Sequence, residues 1–377
     1  MELLKNKVAV ITGGSRGLGL GIAEAFVREG ASVVIASRSV ESVERAVAQL
    51  RRFGGQAHGI SCDVGELRQV ESLANFAREQ FGGFDIWVNN AGISCPTGPT
   101  VHIPPKMVTS LMRTNIEGVY HGSVVAMRHF VPQGYGKLIN MVGKGERRPV
   151  PLHSAYASSR AWVRNFTLSM AEEYKNTGVG VFLLNPGLVE TDMLEDLHFI
   201  KGYEHKLKTL RVVKRILASP PEVPANKAVW LASPATDGKT GVYASAISPD
   251  RMIKGLFKEV VRVIRRQEPP PYNPRVTLVE PVLDIKIPDK APKQGEVDRQ
   301  NGYILHLDKK RPPESVGNKA MNIWQLRKKG FLVPNTYVLL WDAYFAYQSK
   351  GESIFDEIKS QLALILDPNR YYAIRSS

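Results

Sequence analysis

The sequence has little cysteine and no long hydrophobic run. Its 377 residues include only two cysteines, Cys62 and Cys95, so we expect two reduced thiols, no disulfide framework and no metal site. No apolar stretch approaches the ~18 residues that a bilayer-spanning helix needs. The start, from Met1 to Val8, leads directly into a strand pattern without an apolar signal core. We therefore expect a cytoplasmic protein with no membrane partner.

Acidic residues are scarce relative to basic ones. The chain has 36 Asp and Glu against 50 Lys and Arg, a formal net charge of +14. Such a surplus favours anionic partners through long-range attraction. The basic residues are scattered, and their local clusters are not interleaved with aromatic residues as they would be on a surface where bases stack. We therefore expect phosphorylated ligands or a solvated basic surface, and no nucleic-acid partner.

The N-terminal two-thirds of the chain alternates short β-branched runs with amphipathic stretches of helical length. This alternation is typical of βαβ units and predicts an α/β fold, a Rossmann-type doubly wound parallel sheet. The predicted strands are Val8–Thr12, Ser32–Ala36, Ala57–Ser61, Ile86–Asn89, Lys137–Val142, Val179–Asn185 and Val242–Ser245. The predicted helices are Gly17–Glu29, Val40–Phe53, Glu66–Phe81, Pro105–Phe130, Ala155–Asn176 and Pro224–Ala232.

The composition changes after a basic amphipathic helix, Asp250–Arg266. Prolines then recur from Pro269 to Pro292, which indicates a semi-rigid linker in extended or polyproline form, with a paired strand at Arg275–Val282. A helix ending at Gly330 and a strand at Tyr337–Leu340 follow. We predict a Rossmann domain over residues 1–267, a proline-rich linker over 268–310 and a partial α+β segment over 311–377.

A glycine-rich turn joins the first strand to the first helix. Its sequence is Thr-Gly-Gly-Ser-Arg-Gly-Leu-Gly, from Thr12 to Gly19. Gly13 suits a tight turn, Gly17 lets the backbone approach a pyrophosphate, and the free N–H groups at the helix start face the anion. The residues predicted to bind a dinucleotide here are Thr12, Gly13, Ser15, Arg16, Gly17, Leu18 and Gly19.

The second predicted strand lacks the carboxylate that would mark an NAD site. In such a site an acid at the end of this strand bonds the ribose 2′-hydroxyl. Here the strand ends Ala36-Ser-Arg38, and no acid is present. Arg38 and Arg16 instead offer two guanidinium groups for a 2′-phosphate, so the sequence predicts NADP(H) in preference to NAD(H).

Further motifs follow the turn in a defined order. They are Cys62-Asp-Val64, Asn89-Asn-Ala-Gly92, Asn115, Tyr156-Ala-Ser-Ser-Arg160 and Pro186-Gly-Leu-Val-Glu-Thr191. With the turn, this series resembles the short-chain dehydrogenases/reductases from Lys5 to about Ala246. The resemblance implies an adenine flanked by two of these residues, Asp63 and Val64. It also implies cofactor contacts at Asn89, Ala91, Gly92, Tyr156, Arg160, Pro186, Gly187 and Thr191.

The resemblance also implies a reaction and its catalytic groups. In that family a tyrosine, here Tyr156, exchanges a proton with the carbonyl or alcohol oxygen while the nicotinamide exchanges hydride. A lysine four residues later stabilises the phenolate and bonds the nicotinamide ribose, but this chain has Arg160 there. Arginine keeps the charge but cannot take part in a proton relay. Asn115 matches the family's relay asparagine.

The family's serine, which hydrogen-bonds the substrate carbonyl, lies thirteen positions before the tyrosine. This position is Gly143, so the hydroxyl is absent. Lys144 or Ser154 could supply a substitute donor, although each also fits a solvated or helix-capping residue. The predicted catalytic set is therefore half retained, with Tyr156 and Asn115 present and with Gly143 and Arg160 as replacements.

The segment after Thr191, over residues 192–221, is predicted to cover the active site. Its basic residues are Lys201, His205, Lys206, Lys208, Arg211, Lys214 and Arg215. They fit an anionic carbonyl or alcohol substrate and equally a basic surface loop. The family resemblance also suggests a homodimer or tetramer packed through the two long helices near 105–130 and 155–176.

The C-terminal stretch resembles the start of the ATP-grasp domain of the phosphoenolpyruvate synthase and pyruvate phosphate dikinase family. The resemblance rests on Gly317-Asn-Lys-Ala-Met-Asn322 and on Ala373-Ile-Arg-Ser-Ser377, and it implies that Lys319 and Arg375 lie near ATP phosphates. Because the rest of that domain does not follow, we expect a fragment of a longer fused protein that does not bind ATP productively by itself.

Three functions are consistent with these features, and the last of them is a nucleotide-dependent phosphotransferase in which the reductase-like part is an accessory. The first is an NADP(H)-dependent oxidoreductase with a degenerate catalytic set. The second is a non-catalytic NADP(H)-binding sensor or scaffold fused to a phosphotransferase of the phosphoenolpyruvate synthase type. Turnover that depends on Tyr156 would distinguish the first from the second.

Overall fold

The chain forms two compact units, Met1–Ile287 and Pro288–Ser377. A computed structural model describes residues 2–247, 249–283, 304–307, 317–329, 336–339, 346, 348 and 354–363. No helix in these ranges is both long and apolar enough to cross a bilayer. The predicted domain limits at 267 and 310 stay predictions.

The first unit is built on a seven-stranded sheet in which every neighbouring pair is parallel. The unit's strands are β1 Val8–Thr12, β2 Ser32–Ser37, β3 Ala57–Ser61, β4 Ile86–Asn89, β5 Gly136–Met141, β6 Val179–Asn185, β7 Leu188–Val189, β8 Asp196–Ile200, β9 Ala218–Ser219, β10 Tyr243–Ser245 and β11 Arg275–Val279. The spatial order in the main sheet is β3-β2-β1-β4-β5-β6-β10. This topology confirms the predicted doubly wound sheet.

Helices cover both faces of the sheet. They are α1 Gly17–Arg28, α2 Val40–Arg51, α3 Leu67–Phe81, α4 Pro105–Met112, α5 Gly118–Gln133, α6 Ser154–Glu173, α7 Asp192–Glu195, α8 Leu207–Leu217, α9 Glu222–Ala232 and α10 Pro249–Ile264. Along β1, Ala9 and Ile11 pack against α1 and α9, whereas Val10 packs against α3 and α5. Because both faces are buried, the strands are almost continuously apolar.

The long helix predicted over 105–130 is interrupted. Helix α4 ends at Met112, a π-helical turn occupies Arg113–Glu117, and α5 begins at Gly118. Asn115 lies in this turn, where its amide accepts from the backbone N–H of Ile93 at 2.8 Å and donates to the carbonyl of Ile93 at 3.0 Å. These two bonds tie the helix to the loop after β4, so the wider turn follows from the asparagine. A π-helical turn often marks a functional site.

The sheet reverses its strand order between β1 and β4. Connections after these two strands leave on opposite faces, which opens a cleft beyond the carboxyl ends. The segment after β6 lies at this edge, and β8 pairs in parallel with β11, from Asp196↔Arg275 to Ile200↔Val279. A strand in the proline-rich region is thus part of the first unit.

The second unit contains β12 Ile304–His306, β13 Tyr337–Leu339, α11 Gly317–Lys328 and α12 Ile354–Ala363. The two strands pair antiparallel. Lys319, one of the residues predicted to bind phosphate, lies in α11. The other, Arg375, lies outside the described residues. The resemblance of this segment to an ATP-grasp domain stays a prediction.

Candidate active site

The glycine turn at the end of β1 adopts a conformation that requires glycine. Gly13 has a φ of +64°, and a Cβ there would lie 2.9 Å from the Cα of Ala91. A Cβ at Gly19 would lie 2.1 Å from the carbonyl oxygen of Gly13. Side chains would therefore disrupt the turn and its contact with β4. The turn leads into α1, whose first N–H groups are available to an anion.

Asn90 fastens the glycine turn to the strand beside it. Its Nδ2 donates to the carbonyls of Thr12 and Gly13, at 3.0 and 3.1 Å. The backbone N–H groups of Asn90 and Ala91 both donate to the hydroxyl of Thr12 at 3.1 Å. The sequence prediction missed Asn90, although its place between two motif residues was a usable signal. Thr12, which is buried, contributes to the turn through these bonds.

Asn89 faces the interior. Its Oδ1 accepts from Trp87 Nε1 at 2.8 Å, and its Nδ2 donates to Asn140 Oδ1 at 2.8 Å and to Ser123 Oγ at 3.1 Å. The side chain is 2% exposed, so its polar atoms serve this network. Its assignment to cofactor binding stays a prediction.

The adenosine end of the predicted cofactor site carries the two arginines. Arg38 follows β2 and is exposed. Arg16, at the start of α1, forms an exposed ion pair with Asp192 at 3.5 Å. Asp63 accepts from the backbone N–H of Gly65 at 3.0 Å, and Val64 is buried. All four residues lie near the carboxyl edge of the β1–β3 half of the sheet.

The structure brings Tyr156 and Gly143 together. Gly143 follows β5, and Tyr156 lies in the first turn of α6. Among the described residues, the nearest atom to an ideal Cβ on Gly143 is the Tyr156 Oη, at 3.5 Å. The space in which a serine hydroxyl would meet the tyrosine is therefore present, while the hydroxyl itself is missing.

Arg160 lies one helical turn after Tyr156 and is buried. Its Cζ is 5.1 Å from the centroid of the Tyr156 ring, and its Nη1 donates to the carbonyl of Met141 at 3.2 Å. Nε has no hydrogen-bond partner among the described residues. A Cβ on Gly92 would lie 2.6 Å from Arg160 Nη2 and 3.4 Å from Asn115 Oδ1, so these groups meet beneath Gly92.

The residues after β6 also lie at the carboxyl edge of the sheet, next to the glycine turn. The backbone N–H of Gly187 donates to Asn185 Oδ1 at 2.9 Å, and the methyl of Thr191 would lie 3.3 Å from a Cβ on Gly17. Thr191 therefore connects the segment after Pro186 with the glycine turn. Ser15 and Leu18 lie in and just after that turn and are half-buried.

The buried carboxylate of Glu146, which was not predicted from the sequence, holds the end of β6 in place. Glu146 Oε1 accepts from Tyr243 Oη at 2.6 Å and from Asn185 Nδ2 at 3.2 Å. Burial, followed by the bond to Glu146, raises the pKa of Tyr243. No motif marks a glutamate at this position, so only its burial identifies it. It holds the end of β6 at the position where Pro186 begins.

Tyr156 packs against an apolar cluster. The tyrosine packs with buried and half-buried side chains from the loop after β4, from α4 and from the β8–β11 pair. They include Ile93, Cys95, Met107, Ile200, Tyr203 and Val279. Burial raises the pKa of the Cys95 thiol, and burial followed by Asp63 raises the pKa of Cys62 to about 12. Both cysteines are free and buried.

Acidification should destabilise the protein through His153, which precedes α6. Burial, followed by the charge of Lys144, lowers the pKa of His153 from 6.5 to about 4. Between these values the unfolded chain binds a proton that the folded chain does not. The free energy of unfolding should therefore fall by about 2 kcal/mol as the pH drops from 6.5 to 4, after allowance for solvent screening.

Thermal or urea unfolding across this pH range checks the expectation. His153→Gln should flatten that part of the pH dependence. His205→Gln, at an exposed histidine, serves as the control and should keep the wild-type profile. Equal slopes for the wild type and His153→Gln would contradict the assignment.

The residues present fit a nicotinamide dinucleotide. Small residues and backbone N–H groups line the β1–α1 turn, the Arg160 guanidinium lies next to Gly92, and the Tyr156 phenol lies at the same edge of the sheet. The turn can hold a pyrophosphate, and the guanidinium can bind a ribose hydroxyl. The phenol can exchange a proton with a substrate oxygen.

Comparisons with known proteins agree with this geometry. The family described as short chain dehydrogenase matches residues 7–199. The 3beta-hydroxysteroid dehydrogenase 1 of Eggerthella lenta is 34% identical over 240 residues, which are 63% of this chain and 91% of that protein. Galactitol 2-dehydrogenase of Agrobacterium fabrum is 34% identical over 243 residues, 62% of this chain and 93% of that protein. A crystal structure of a short-chain type dehydrogenase/reductase from Mycobacterium marinum matches with a TM-score of 0.59 and 27% identity, covering 65% of this chain and 95% of that one.

These matches confirm the family resemblance and the Rossmann-type sheet of the first unit. They extend over the glycine turn, Tyr156 and Arg160 alike. The chain belongs to the short chain dehydrogenase family, whose members are oxidoreductases that use nicotinamide cofactors.

Proposed function

We propose that this chain is an NADP(H)-dependent oxidoreductase acting on a carbonyl or a secondary alcohol. The observation that carries the proposal is the position of the Tyr156 hydroxyl. It lies 3.5 Å from the Cβ position of Gly143, at the sheet edge where the glycine turn also ends. A proton donor and a dinucleotide cradle thus share one cleft, which is the arrangement that carbonyl reduction needs.

Tyr156 is the acid and base of the proposed reaction. Its Oη donates a proton to the substrate oxygen during reduction and accepts that proton during oxidation. When bound, the nicotinamide supplies or takes the hydride. Arg160 places a fixed positive charge beside the ring and stabilises the phenolate. Because arginine does not deprotonate, the proton on Tyr156 is replaced without a relay through residue 160.

The replaced residues set the expected rate. Without a hydroxyl at Gly143, the substrate carbonyl lacks one hydrogen-bond donor, and the loss of such a donor costs about 10²–10³ in rate. Lys144 and Ser154 stay candidates for a substitute donor. Asn115 has its amide engaged with Ile93, so we assign it to positioning of the loop after β4.

The preference for NADP(H) rests on Arg38 and Arg16. Arg38 is exposed beside the end of β2, where an acid would be needed for NAD(H). Arg16 is held by Asp192 through one exposed ion pair, which is weak enough for a phosphate to replace. A 2′-phosphate would accept charge-assisted hydrogen bonds from both guanidinium groups.

Arg38→Ala should therefore weaken NADPH binding by about ten- to a hundredfold, since a charge-assisted hydrogen bond contributes about 1.5–3 kcal/mol. NADH binding should change by no more than about twofold, because NADH has no 2′-phosphate. Titration of each nucleotide, followed by fluorescence or by thermal shift, measures the change.

Arg52→Ala is the matched control, because Arg52 is also exposed but follows the far end of α2. It should leave both affinities unchanged. Tighter binding of NADH than of NADPH by the wild type, or an equal loss of both in Arg38→Ala, would overturn the cofactor assignment.

The proposed substrate is a small molecule with an apolar group next to its carbonyl or alcohol carbon. The apolar cluster around Tyr156 supports this choice. The basic residues of segment 192–221 support a negative charge elsewhere on the substrate. The E. lenta relative is named for a hydroxysteroid and the A. fabrum relative for galactitol, so relatives of similar identity differ widely in substrate.

A second candidate function is a non-catalytic NADP(H)-binding sensor or scaffold. The replacement of serine by Gly143 and of lysine by Arg160 favours it. In this alternative the first unit accompanies a phosphotransferase of the phosphoenolpyruvate synthase type, in which Lys319 and Arg375 lie near ATP phosphates. The alternative predicts NADPH binding without turnover. A cytoplasmic location and assembly into a homodimer or tetramer stay predictions under both functions.

A further inference from the structure

Helix α10 presents its apolar side to solvent. Its exposed apolar side chains recur at intervals of about one helical turn and form one stripe: Met252, Ile253, Leu256, Phe257, Val260 and Ile264. Three of them, Ile253, Phe257 and Ile264, are 65%, 68% and 74% exposed. An amphipathic helix of a globular protein normally buries such a stripe. This stripe therefore marks a surface that a partner covers.

The side of α10 opposite the stripe packs against α8, and this contact keeps the stripe turned outward. Glu259 accepts two hydrogen bonds from Arg215 of α8, at 2.7 and 3.0 Å, and two more from Arg262. At Gly255 a Cβ would lie 2.2 Å from the carbonyl oxygen of Ile216, so the backbones of α8 and α10 touch. The helix packs through its polar and glycine side, which leaves the apolar stripe outside.

Exposed cations accompany the stripe. On α10 and just after it they are Lys254, Lys258, Arg265 and Arg266, and on α8 they are Lys208 and Arg211. Glu259 is occupied by two arginines, which leaves Asp250 as the exposed acid of α10. An apolar face combined with cations on the polar face is typical of helices that lie in the interface of an anionic membrane.

We propose that the α8–α10 surface, defined by the stripe and these cations, docks on an anionic lipid bilayer. A second copy of this chain fits less well, because both copies carry the same formal net charge of +14 and repel each other. The helix would lie in the plane of the interface and would not cross it. The expectation of no membrane partner came from the lack of a spanning run, which an in-plane helix does not need.

The surface is connected to the proposed active site through three ion pairs. Arg16 of the glycine turn pairs with Asp192, Glu195 pairs with Lys214 at 3.0 Å, and Arg215 pairs with Glu259. Docking would therefore bring the bilayer next to the cover of the cleft. Membrane docking does not depend on turnover, so the proposal stands or fails separately from the proposed function.

Sedimentation of the 377-residue chain with lipid vesicles tests the proposal. Vesicles of phosphatidylcholine with added phosphatidylglycerol should retain the protein, and phosphatidylcholine alone should retain at least about tenfold less. Added NaCl should release it. Lys254→Glu with Lys258→Glu should weaken retention by about tenfold or more, because each basic residue adds to the attraction.

The apolar contribution needs its own variant. Ile253→Asp with Phe257→Asp should abolish retention, and both positions are exposed, so the fold should persist. Val40→Asp with Val101→Asp, at half-exposed valines on other elements, should bind as the wild type does. Circular dichroism and light scattering check the fold and the mass of each variant.

Three outcomes would overturn the proposal. One is equal retention by neutral and anionic vesicles, and another is unchanged retention of Ile253→Asp with Phe257→Asp. The third is a smaller mass of that variant in solution without lipid, which would assign the surface to contact between copies.

Discussion

Restoring serine at position 143 together with lysine at position 160 should raise kcat/KM about 10²-fold or more, because one carbonyl donor alone contributes about 10²–10³. Apart from its two chain neighbours, a Cβ at Gly143 would meet only the Tyr156 Oη within 4 Å among the described residues, at 3.5 Å, so there is room for a Cβ at this position. Gly143 also lacks a positive φ, so an L-residue is tolerated there. Lysine at position 160 would restore a compact charge that can exchange protons.

The single variants separate the two contributions. Gly143→Ser alone should supply most of the gain, because it adds the carbonyl donor. Arg160→Lys alone leaves a shorter side chain in a buried place and should gain little or lose activity. Steady-state oxidation of NADPH with a panel of aldehydes and ketones measures kcat/KM for each.

Two substitutions serve as controls for this comparison. Gly83→Ser lies at the opposite edge of the sheet, before β4, and Arg164→Lys lies one turn further along α6. Neither should change kcat/KM beyond about twofold, because neither residue is assigned to the proposed site, and circular dichroism checks the fold because Arg164 is half-buried. If the Gly143→Ser, Arg160→Lys protein binds NADPH but turns over no faster than the wild type, then the absence of serine and lysine at these two positions does not limit the rate.

Tyr156→Phe should lower kcat by about 10²–10⁴, the contribution of a positioned proton donor, while the affinity for NADPH stays nearly unchanged. The substitution removes only the hydroxyl, and the ring keeps its contacts with the apolar cluster and with Arg160. The same carbonyl panel measures kcat, and nucleotide titration measures the affinity.

Tyr203→Phe is the control, because this tyrosine belongs to the same apolar cluster. It should keep kcat within about threefold, as expected when no proton donor is lost. If Tyr156→Phe retained full turnover, Tyr156 would not be the acid. If the wild type bound NADPH and no carbonyl or alcohol reacted, the sensor or scaffold function would replace the oxidoreductase.

Much of the first unit could be predicted from local sequence. Short β-branched runs and amphipathic helices alternate so regularly that the seven strands of the main sheet were placed to within a residue or two. The helix over 105–130 was predicted, but its π-helical turn at Arg113–Glu117 was not, because the side chain of Asn115 in this turn bonds with Ile93, which lies far away in sequence. The pairing of β8 with β11 also depends on distant segments, and neither strand alone indicates its partner.

The site was predictable where a motif fixes the spacing and not elsewhere. The family resemblance implied that position 143 and Tyr156 belong to one site, and the structure places the Tyr156 Oη 3.5 Å from an ideal Cβ on Gly143. The roles of Asn90 and Glu146 arise from hydrogen bonds between elements, which a single sequence does not reveal. The exposure of the apolar face of α10 could not be predicted either, because the spacing of its apolar residues predicts a helix but does not indicate which face is buried.

The buried asparagines at the centre of the sheet have a consequence for strand alignment. Asn89 and Asn140 are register partners in β4 and β5, and their amides bond each other, Trp87, Ser123 and Thr167. Apolar strands that are buried on both faces discriminate poorly against a shift in register, because most of the displaced side chains remain in apolar surroundings. Sliding here would leave several polar groups unbonded, at about 1–3 kcal/mol each. The asparagine pair therefore fixes the register of β4 and β5. It thereby also fixes the distance between the loop that carries Gly92 and the loop that carries Gly143.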